Sequence, residues 1–361
     1  MTPHPARRSP PRSSWRRVGT AALAGVVAAL VTGAPAFAHA QDAPAATDYQ
    51  TRIAAITPAM PGLSIRTVEA GARLELTNHT GRPIEVLGYD AEPYLEIRPD
   101  GVYENVNSPA SYLNESLTGG TIPPSASPKL PPAWNRTSTA PVTRWHDHRT
   151  WWMSPTPPPG VQRDPTRPQL VSAWKVPLRD GVRIFELHGT LSWAPKPQAP
   201  VWLAGCLVLA AALATLALTR LPTAAFAPLL VVGGLAALTG AVGRAIDYGD
   251  AVATSLFLLD TWATITALGA LAAAAYILAR RPSAEFALAL SGACLALFSG
   301  IPHLTTFAHG VAPAPWDGQW SRLLLATVVS FGAGTALAGA LRLRAAARQA
   351  AATDAAAPHP A

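Results

Sequence analysis

The stretch VWLAGCLVLAAALATLAL, residues 201–218, contains no charged residue and decides the class of the fold. An α-helix rises about 1.5 Å per residue, so a run of this length approaches the thickness of a bilayer core, roughly 30 Å. Four further apolar runs follow it, at residues 224–242, 251–279, 284–301 and 323–341. The sequence therefore predicts a bundle of five transmembrane helices within residues 199–344, surrounded by the lipid bilayer.

The composition of the whole chain also indicates a membrane protein. Of the 361 residues, 49% are hydrophobic and only 14% are charged, whereas roughly a quarter of residues are charged in soluble proteins. The net charge is +7, but the arginines concentrate in the leader, the short loops and the C-terminal tail, where membrane topology accounts for them. We therefore expect no nucleic-acid partner.

Arginines in the short loops predict the orientation, because cytoplasmic loops are enriched in basic residues. Six arginines fall on one side of the membrane and two on the other: Arg220, Arg280, Arg281, Arg342, Arg344 and Arg348 against Arg244 and Arg322. This asymmetry predicts a cytoplasmic C-terminus and an N-terminal domain outside the cell. The tail, residues 345–361, lacks an apolar face and is expected to be disordered.

The N-terminus has the pattern of a secretory signal peptide. Several arginines precede an apolar run at residues 18–31, and GAPAFAHA follows at residues 33–40, with small residues spaced for cleavage. Cleavage after Ala38 would make residues 1–38 the leader and His39 the first residue of the mature chain. Cleavage after Ala40 fits the same rule and would remove His39.

Residues 39–198 carry the pattern of an exported β domain. Residues 63–68, 73–77 and 83–87 alternate apolar and polar side chains, as half-buried antiparallel strands do. Hairpin turns are predicted at Pro-Asp-Gly, residues 99–101, and at Arg-Asp-Gly, residues 179–181. The natural fold is an all-β sandwich, either immunoglobulin-like or cupredoxin-like.

Proline punctuates the β domain in three places. Residues 121–141 and 154–168 are too rich in proline for central strands and are predicted to form long loops. Residues 194–200, APKPQAP, are predicted to form a semi-rigid stalk onto the first transmembrane helix.

The block RWHDHRTWWM, residues 144–153, is the strongest candidate for a binding site. On a strand, His146 and His148 would share a face, and imidazole is a good ligand for copper or zinc. Their neighbours Trp145, Trp151 and Trp152 would form an aromatic wall around such a site. Alternatively, the histidines hydrogen-bond the backbone of the proline-rich loops while the tryptophans fill the core.

Three other histidines are candidate metal ligands. An N-terminal His39 would offer its amine and its ring nitrogen to one copper ion, an arrangement that resembles that of some exported copper proteins. His303 and His309 end the fourth apolar run, on the side predicted to face outward. They could receive a metal from the β domain, or lie at the lipid headgroups as ordinary interfacial residues.

Asp260 lies about nine residues into the third apolar run. A carboxylate is costly within hydrocarbon, so it is expected to face protein rather than lipid. Two roles stay open on the sequence alone. Asp260 could form an ion or proton site, or it could be a packing residue that pairs with Thr264 or Arg244.

Several classes of chemistry are disfavoured. Both cysteines, Cys206 and Cys294, lie in apolar runs, so the β domain has neither a disulfide nor the thiolate of a blue-copper site. The chain has no nucleophile elbow, phosphate loop or zinc-protease helix motif. The acidic and aromatic run at residues 88–114 has no spacing that demands paired catalytic carboxylates. We expect a binding module rather than an enzyme.

Four blocks carry a resemblance to known proteins: GYDAEPYL, GVYENVNSPASYLN, PPAWNR and WHDHRTWWM. In these blocks the chain resembles a family of actinobacterial membrane proteins that share them in this order. The resemblance implies a similar two-part architecture and no particular activity. That family has a histidine at the position of Trp151, so a three-histidine site would lack one ligand here.

The leading hypothesis is therefore a multi-pass plasma-membrane protein whose exported domain binds or handles envelope copper. The alternative is an interaction or signalling accessory protein that binds no metal and docks an envelope protein partner through the tryptophan-rich loop. Titration with copper separates the two hypotheses.

Overall fold

Alternating apolar and polar residues build ten antiparallel strands between residues 49 and 193. The computed structural model describes residues 46–249, 254–256 and 260–356; the predicted signal peptide and His39 lie outside them. The strands are β1 (Tyr49–Thr57), β2 (Leu63–Val68), β3 (Arg73–Asn78), β4 (Ile84–Leu87), β5 (Pro93–Arg98), β6 (Gly101–Asn105), β7 (Trp134–Ser138), β8 (Val142–Trp145), β9 (Gln169–Asp180) and β10 (Arg183–Trp193).

The strands form two sheets over one core. The larger sheet has the order β1-β10-β9-β4-β5-β6-β7, and the smaller has the order β2-β3-β8. Buried side chains from both sheets meet in this core, among them Leu74 and Leu76 of the small sheet and Ile84, Trp174 and Leu187 of the large one. The expected all-β sandwich is confirmed.

Both predicted hairpins form. Arg98 pairs with Gly101 across the turn between β5 and β6, and Asp180 pairs with Arg183 across the turn between β9 and β10. Gly181 adopts φ +60° in the second turn, in the left-handed region that side chains with a Cβ rarely adopt.

The proline-rich loops differ from expectation at one point. Strand β7 lies inside the segment 121–141 that was predicted to be a loop. It contains no proline itself and lies at the edge of the large sheet, where only one side of the strand needs hydrogen bonds. Two one-turn helices lie in the connections: α1 (Pro109–Leu113) between β6 and β7, and α2 (Pro159–Arg163) between β8 and β9.

Five apolar helical segments follow the β domain, each long enough to cross a membrane. Their regular α-helical parts are α3 (Ala199–Thr215), α4 (Ala227–Tyr248), α5 (Thr261–Leu278), α6 (Ala284–Cys294) and α7 (Gly318–Ala356). The fourth segment continues beyond α6 as a π-helical turn, Leu295–Gly300, and a 3₁₀ helix, Ile301–Phe307. The predicted five-helix transmembrane architecture is confirmed.

Two helix boundaries differ from the sequence expectations. Helix α5 begins directly after Asp260, so this aspartate precedes the regular helix instead of lying nine residues inside it. Helix α7 continues to Ala356, although residues 345–361 were expected to be disordered. Alanine has the highest helix propensity, and an established helix extends at little cost.

Candidate functional site

His146 lies just past the end of β8 and is almost fully buried. Its Nδ1 is 2.9 Å from the carbonyl oxygen of Ala72, and the Nε of Arg73 donates to its Nε2 at 3.0 Å. Because Nε2 accepts, Nδ1 carries the proton and donates to the carbonyl. Both ring nitrogens of His146 therefore have protein partners.

Asp147 is 1% exposed and joins Trp145 to Arg149. It accepts hydrogen bonds from the indole of Trp145 at 3.0 Å and from the guanidinium of Arg149 at 2.7 and 2.8 Å. Arg149 in turn donates to the carbonyl oxygens of Leu87 and Gly88. This pair ties the end of the small sheet to the loop that follows β4.

His148 has a separate environment. Its Nε2 is 3.1 Å from the carbonyl oxygen of Ser116, and its backbone N–H donates to the hydroxyl of Tyr89. The strand ends at Trp145, so the expectation that His146 and His148 share a strand face is wrong. Among the described residues, no three His, Cys, Asp or Glu side chains are grouped as a metal site.

The three tryptophans of this block also separate. Trp145 is buried in the core of the sandwich, while Trp151 packs against Tyr49, with ring centroids 6.2 Å apart. Trp152 contacts the edge of the core and donates to the carbonyl oxygen of Thr156. They lie in three places in the fold and do not form one wall. Trp145 fills the core, as the alternative interpretation expected of the tryptophans.

Asp260 lies in a polar contact between helices. Arg244 of α4 donates to both of its carboxylate oxygens at 2.9 to 3.2 Å, and His303 Nε2 lies 3.6 Å from Oδ1. The pairing with Arg244 is one of the partners expected from the sequence. Beside this pair is a cavity of about 40 Å³, lined in part by Arg244, Ser299 and His303, which is large enough for ordered water.

His309 belongs to a second contact, which joins the β domain to the helices. Its Nδ1 lies 3.1 Å from a carboxylate oxygen of Asp48, and the other oxygen accepts from the backbone of Gly310. Thr47 and Val311 exchange two backbone hydrogen bonds at 2.7 and 3.0 Å. We call residues 47–48 and 309–311 the clasp. His303 and His309 thus pair with different aspartates.

A third contact connects the small sheet to the end of α4. Glu75 of β3 accepts from Arg66 and Arg144, each at 2.6 Å. Arg66 also donates to the carbonyl oxygen of Gly249, and Arg144 lies 5.8 Å from the ring centroid of Tyr248. We call Arg66, Glu75 and Arg144 the arginine bridge.

Beside the arginine bridge, the β domain has an open cleft of about 420 Å³, within the range of small-molecule sites. We call it the β-domain cleft. Arg73, Arg144 and His146 line one side of it, and its other lining residues include Tyr94, Glu104, Tyr112, Asn114, Glu115 and Trp145.

Two groups in the cleft have shifted proton affinities. Burial raises the pKa of Glu104, the Ser111 side chain opposes this shift by hydrogen bonding, and the negative charge of Glu115 raises the pKa further. Burial also raises the pKa of Tyr94 well above its usual value, and the charge of Glu104 adds to the shift. Tyr94 is therefore a neutral hydroxyl and Glu104 binds a proton more readily than an ordinary glutamate.

The sequence indicated only part of this cleft. Trp145 and His146 lie in the block that it selected, whereas Arg73, Glu104, Asn114 and Glu115 were not singled out as site residues. Three of these four follow from no motif, because β6 belongs to the large sheet and β3 and β8 to the small one, and only the packing of the two sheets brings them to one cleft. Asn114 ends the block SPASYLN, which was the available signal.

Comparison with known proteins adds no assignment to this geometry. No protein-family model, curated protein or solved structure matches the chain.

Proposed function

We propose that this chain is a ligand-binding membrane protein of the cell envelope, in which the β-domain cleft receives a small molecule and the helix bundle responds. One observation carries the proposal: Arg144 lines the cleft and is also part of the arginine bridge to the end of α4. A ligand that fills the cleft would therefore meet the same side chain that contacts Tyr248.

The connection from cleft to helix is short. Arg144 shares the carboxylate of Glu75 with Arg66, and Arg66 donates to the carbonyl oxygen of Gly249 at 3.1 Å. Nearby, the backbone N–H of Ala70 donates to Asp247 at 2.7 Å. These contacts join β2, β3 and the segment between them to the last turn of α4. A movement of the small sheet would therefore displace that turn.

The clasp provides a second attachment. It fixes the start of β1 to the loop between the 3₁₀ helix Ile301–Phe307 and α7. With two attachments, the β domain is held against the bundle instead of swinging on the stalk. A β domain attached at two points can pass a conformational change to the helix bundle. A domain that is only anchored would not need the second attachment.

The arginine count supports an outward-facing β domain and a cytoplasmic C-terminus. The two arginines on the outward side have partners in the protein, since Arg244 pairs with Asp260 and Arg322 donates to the carbonyl oxygens of His309 and Gly310. In this orientation the cleft is open to the extracytoplasmic side of the membrane, and the C-terminal end of α7 projects into the cytoplasm.

A ligand panel tests the proposal on the whole chain in lipid nanodiscs. Amines, amino acids, carboxylic acids and sugars are added in turn, and thermal unfolding is followed by tryptophan fluorescence. We expect one chemical class to raise the unfolding temperature of the natural chain but not of Val106→Trp. Val106 lines the cleft and is 41% exposed, so the indole fills the cleft without entering the core. If no class acts, or if the variant responds equally, the proposal is wrong.

Copper binding stays a prediction of the sequence. His146 would have to release Arg73 or Ala72 to bind a metal, so the contacts favour a structural role for this histidine. The test is a titration of copper and zinc into the whole chain. Binding near one equivalent that is lost in His146→Ala/His148→Ala would support a metal site, and no binding above background would exclude it.

A further inference from the structure

The positive charges of the β-domain cleft are compensated within the protein. Arg73 pairs with Glu69 at 3.3 Å, and Arg144 shares Glu75 with Arg66. Each arginine that lines the cleft on the side of β3 and β8 therefore contacts a carboxylate, and Arg66, the third arginine in these pairs, does not line the cleft.

The carboxylates of the cleft lack such compensation. Glu104 and Glu115 line the cleft together, and neither makes a salt bridge with any residue that the structure describes. They are close enough for the charge of Glu115 to raise the pKa of Glu104. Together with the carboxylates that pair with the arginines, they give this group of side chains four carboxylates against three guanidinium groups, which favours a cation.

An unsatisfied donor lies in the same lining. Asn114 is 5% exposed, and its Oδ1 accepts from the hydroxyl of Tyr89. Its Nδ2 has no hydrogen-bond partner among the described residues. The Tyr94 hydroxyl interacts with this side chain but leaves Nδ2 without a well-formed hydrogen bond. A buried amide N–H in this state is unfavourable, so this donor indicates an acceptor atom that a bound molecule would bring.

Aromatic rings complete the lining. Tyr94, Tyr112 and Trp145 all contribute to the cleft. Aromatic faces attract organic cations through their quadrupoles, and they add apolar surface for the carbon skeleton of a ligand. A hydrated metal ion gains nothing from such rings.

We infer that the β-domain cleft binds a small organic cation, with its ammonium group between Glu104 and Glu115 and a hydrogen-bond acceptor against Asn114. This inference rests on the proposed function and names the chemical class of its ligand. The cleft of about 420 Å³ has room for a molecule of this kind that also contacts the tyrosines.

A matched pair of probes tests the charge requirement. Calorimetric titration of the whole chain in nanodiscs compares tyramine, which is protonated at neutral pH and has a phenol oxygen that accepts hydrogen bonds, with tyrosol, which has nearly the same shape and the same phenol but no charge. We expect the amine to bind at least about tenfold more tightly, because hydrogen bonds to a charged group are stronger than those to a neutral one. Equal affinities, or binding of neither probe, would overturn the inference.

Variants locate the site. Glu104→Gln and Glu115→Gln are each expected to weaken binding of the amine by roughly tenfold and to leave that of tyrosol unchanged. Glu186→Gln is the control, because Glu186 is a strand carboxylate that pairs with Lys175 outside the cleft. An unchanged amine affinity in both cleft variants would place the amine elsewhere and overturn the inference.

Calcium chloride is the competing probe. If calcium binds in a manner that Glu104→Gln abolishes while the amine does not bind, the cleft takes a metal cation and the inference fails, but the proposed function stands. If the ligand panel instead identifies carboxylic acids, the same holds. If no member of the panel acts through the cleft, both the inference and the proposed function fail.

Discussion

Asp147 shows how a side chain can be central to a site without meeting a ligand. It is fully buried and receives hydrogen bonds from Trp145 and Arg149. Arg149 extends the contact to the backbone after β4 and lies 4.9 Å from the ring centroid of Tyr89. Within the block, Trp145, Asp147 and Arg149 therefore hold one another in place, while Arg144 and the two histidines contact other segments of the β domain.

We predict that Asp147→Asn lowers the free energy of unfolding of the β domain by about 2 to 3 kcal/mol, because the guanidinium of Arg149 loses its buried counter-charge. Unfolding by denaturant, followed by tryptophan fluorescence in detergent micelles, measures the change. Glu186→Gln removes a carboxylate from a solvent-exposed ion pair and should have little effect. Equal stability of the Asp147→Asn variant and the natural chain would contradict the structural role assigned to Asp147.

Residue types alone could select this block but not the direction of its side chains. The expectation of converging histidines assumed that β8 continues through His148. The strand stops at Trp145, and a 3₁₀ turn, His148–Thr150, begins after Asp147, whose side chain accepts from the N–H of Arg149. A capping aspartate of this kind competes with the strand, and it turns the two imidazoles to different partners.

At the scale of elements, periodicity predicted most of the structure. The strands at β2, β3 and β4, both hairpin turns and five apolar helices all follow from local pattern, because burial of one face dictates the spacing of apolar residues. The start of α5 did not, since Asp260 is fixed by Arg244, sixteen positions earlier in the chain. Nor did β7, whose place at the sheet edge depends on pairing with β6.

The fourth transmembrane segment has a feature that hydropathy cannot reveal. Its helix widens to a π turn at Leu295–Gly300, and Ser299 in that turn hydrogen-bonds Thr266 of α5 and the carbonyl oxygen of Ala263. Turns of this type often accompany functional sites in helices. Here the turn places polar atoms beside the cavity at Arg244 and His303.

At the scale of the whole molecule, the relation between β domain and bundle depends on contacts between residues far apart in sequence. Arg66 and Gly249 illustrate this distance, and so do Thr47 and Val311. No local pattern encodes such contacts, so the β-domain cleft and the arginine bridge could not be predicted from the sequence, although both parts of the molecule were.

We predict that Glu75→Gln loosens the seat of the β domain on α4. Loss of the shared carboxylate should cost about 2 kcal/mol, because both guanidinium groups then lose the charge-assisted hydrogen bonds that they donate to Glu75. Hydrogen–deuterium exchange in nanodiscs should show faster exchange in β2, β3 and the last turn of α4. Glu85→Gln provides a control, since Glu85 pairs with Arg179 within the large sheet. Unchanged exchange at α4 would contradict the arginine bridge.

The same bridge should depend on pH in a defined direction. Burial raises the pKa of Glu75, but the hydrogen bonds and charges of Arg66 and Arg144 outweigh this effect and lower the pKa below its ordinary value. The stabilisation is therefore fully present above the ordinary pKa of glutamate and is lost as the pH falls through the lowered value. Exchange of the natural chain at α4 should approach that of Glu75→Gln only in strongly acidic solution.

The clasp also has a consequence for how the molecule is made. Val311 is synthesised some 260 residues after Thr47. The segment before β1 therefore has no partner at this bridge until Val311 has left the ribosome. Only when the loop after the fourth helix has reached the same face of the bilayer can these two segments join. A molecule whose insertion stops before Val311 would therefore lack this pairing at the start of β1.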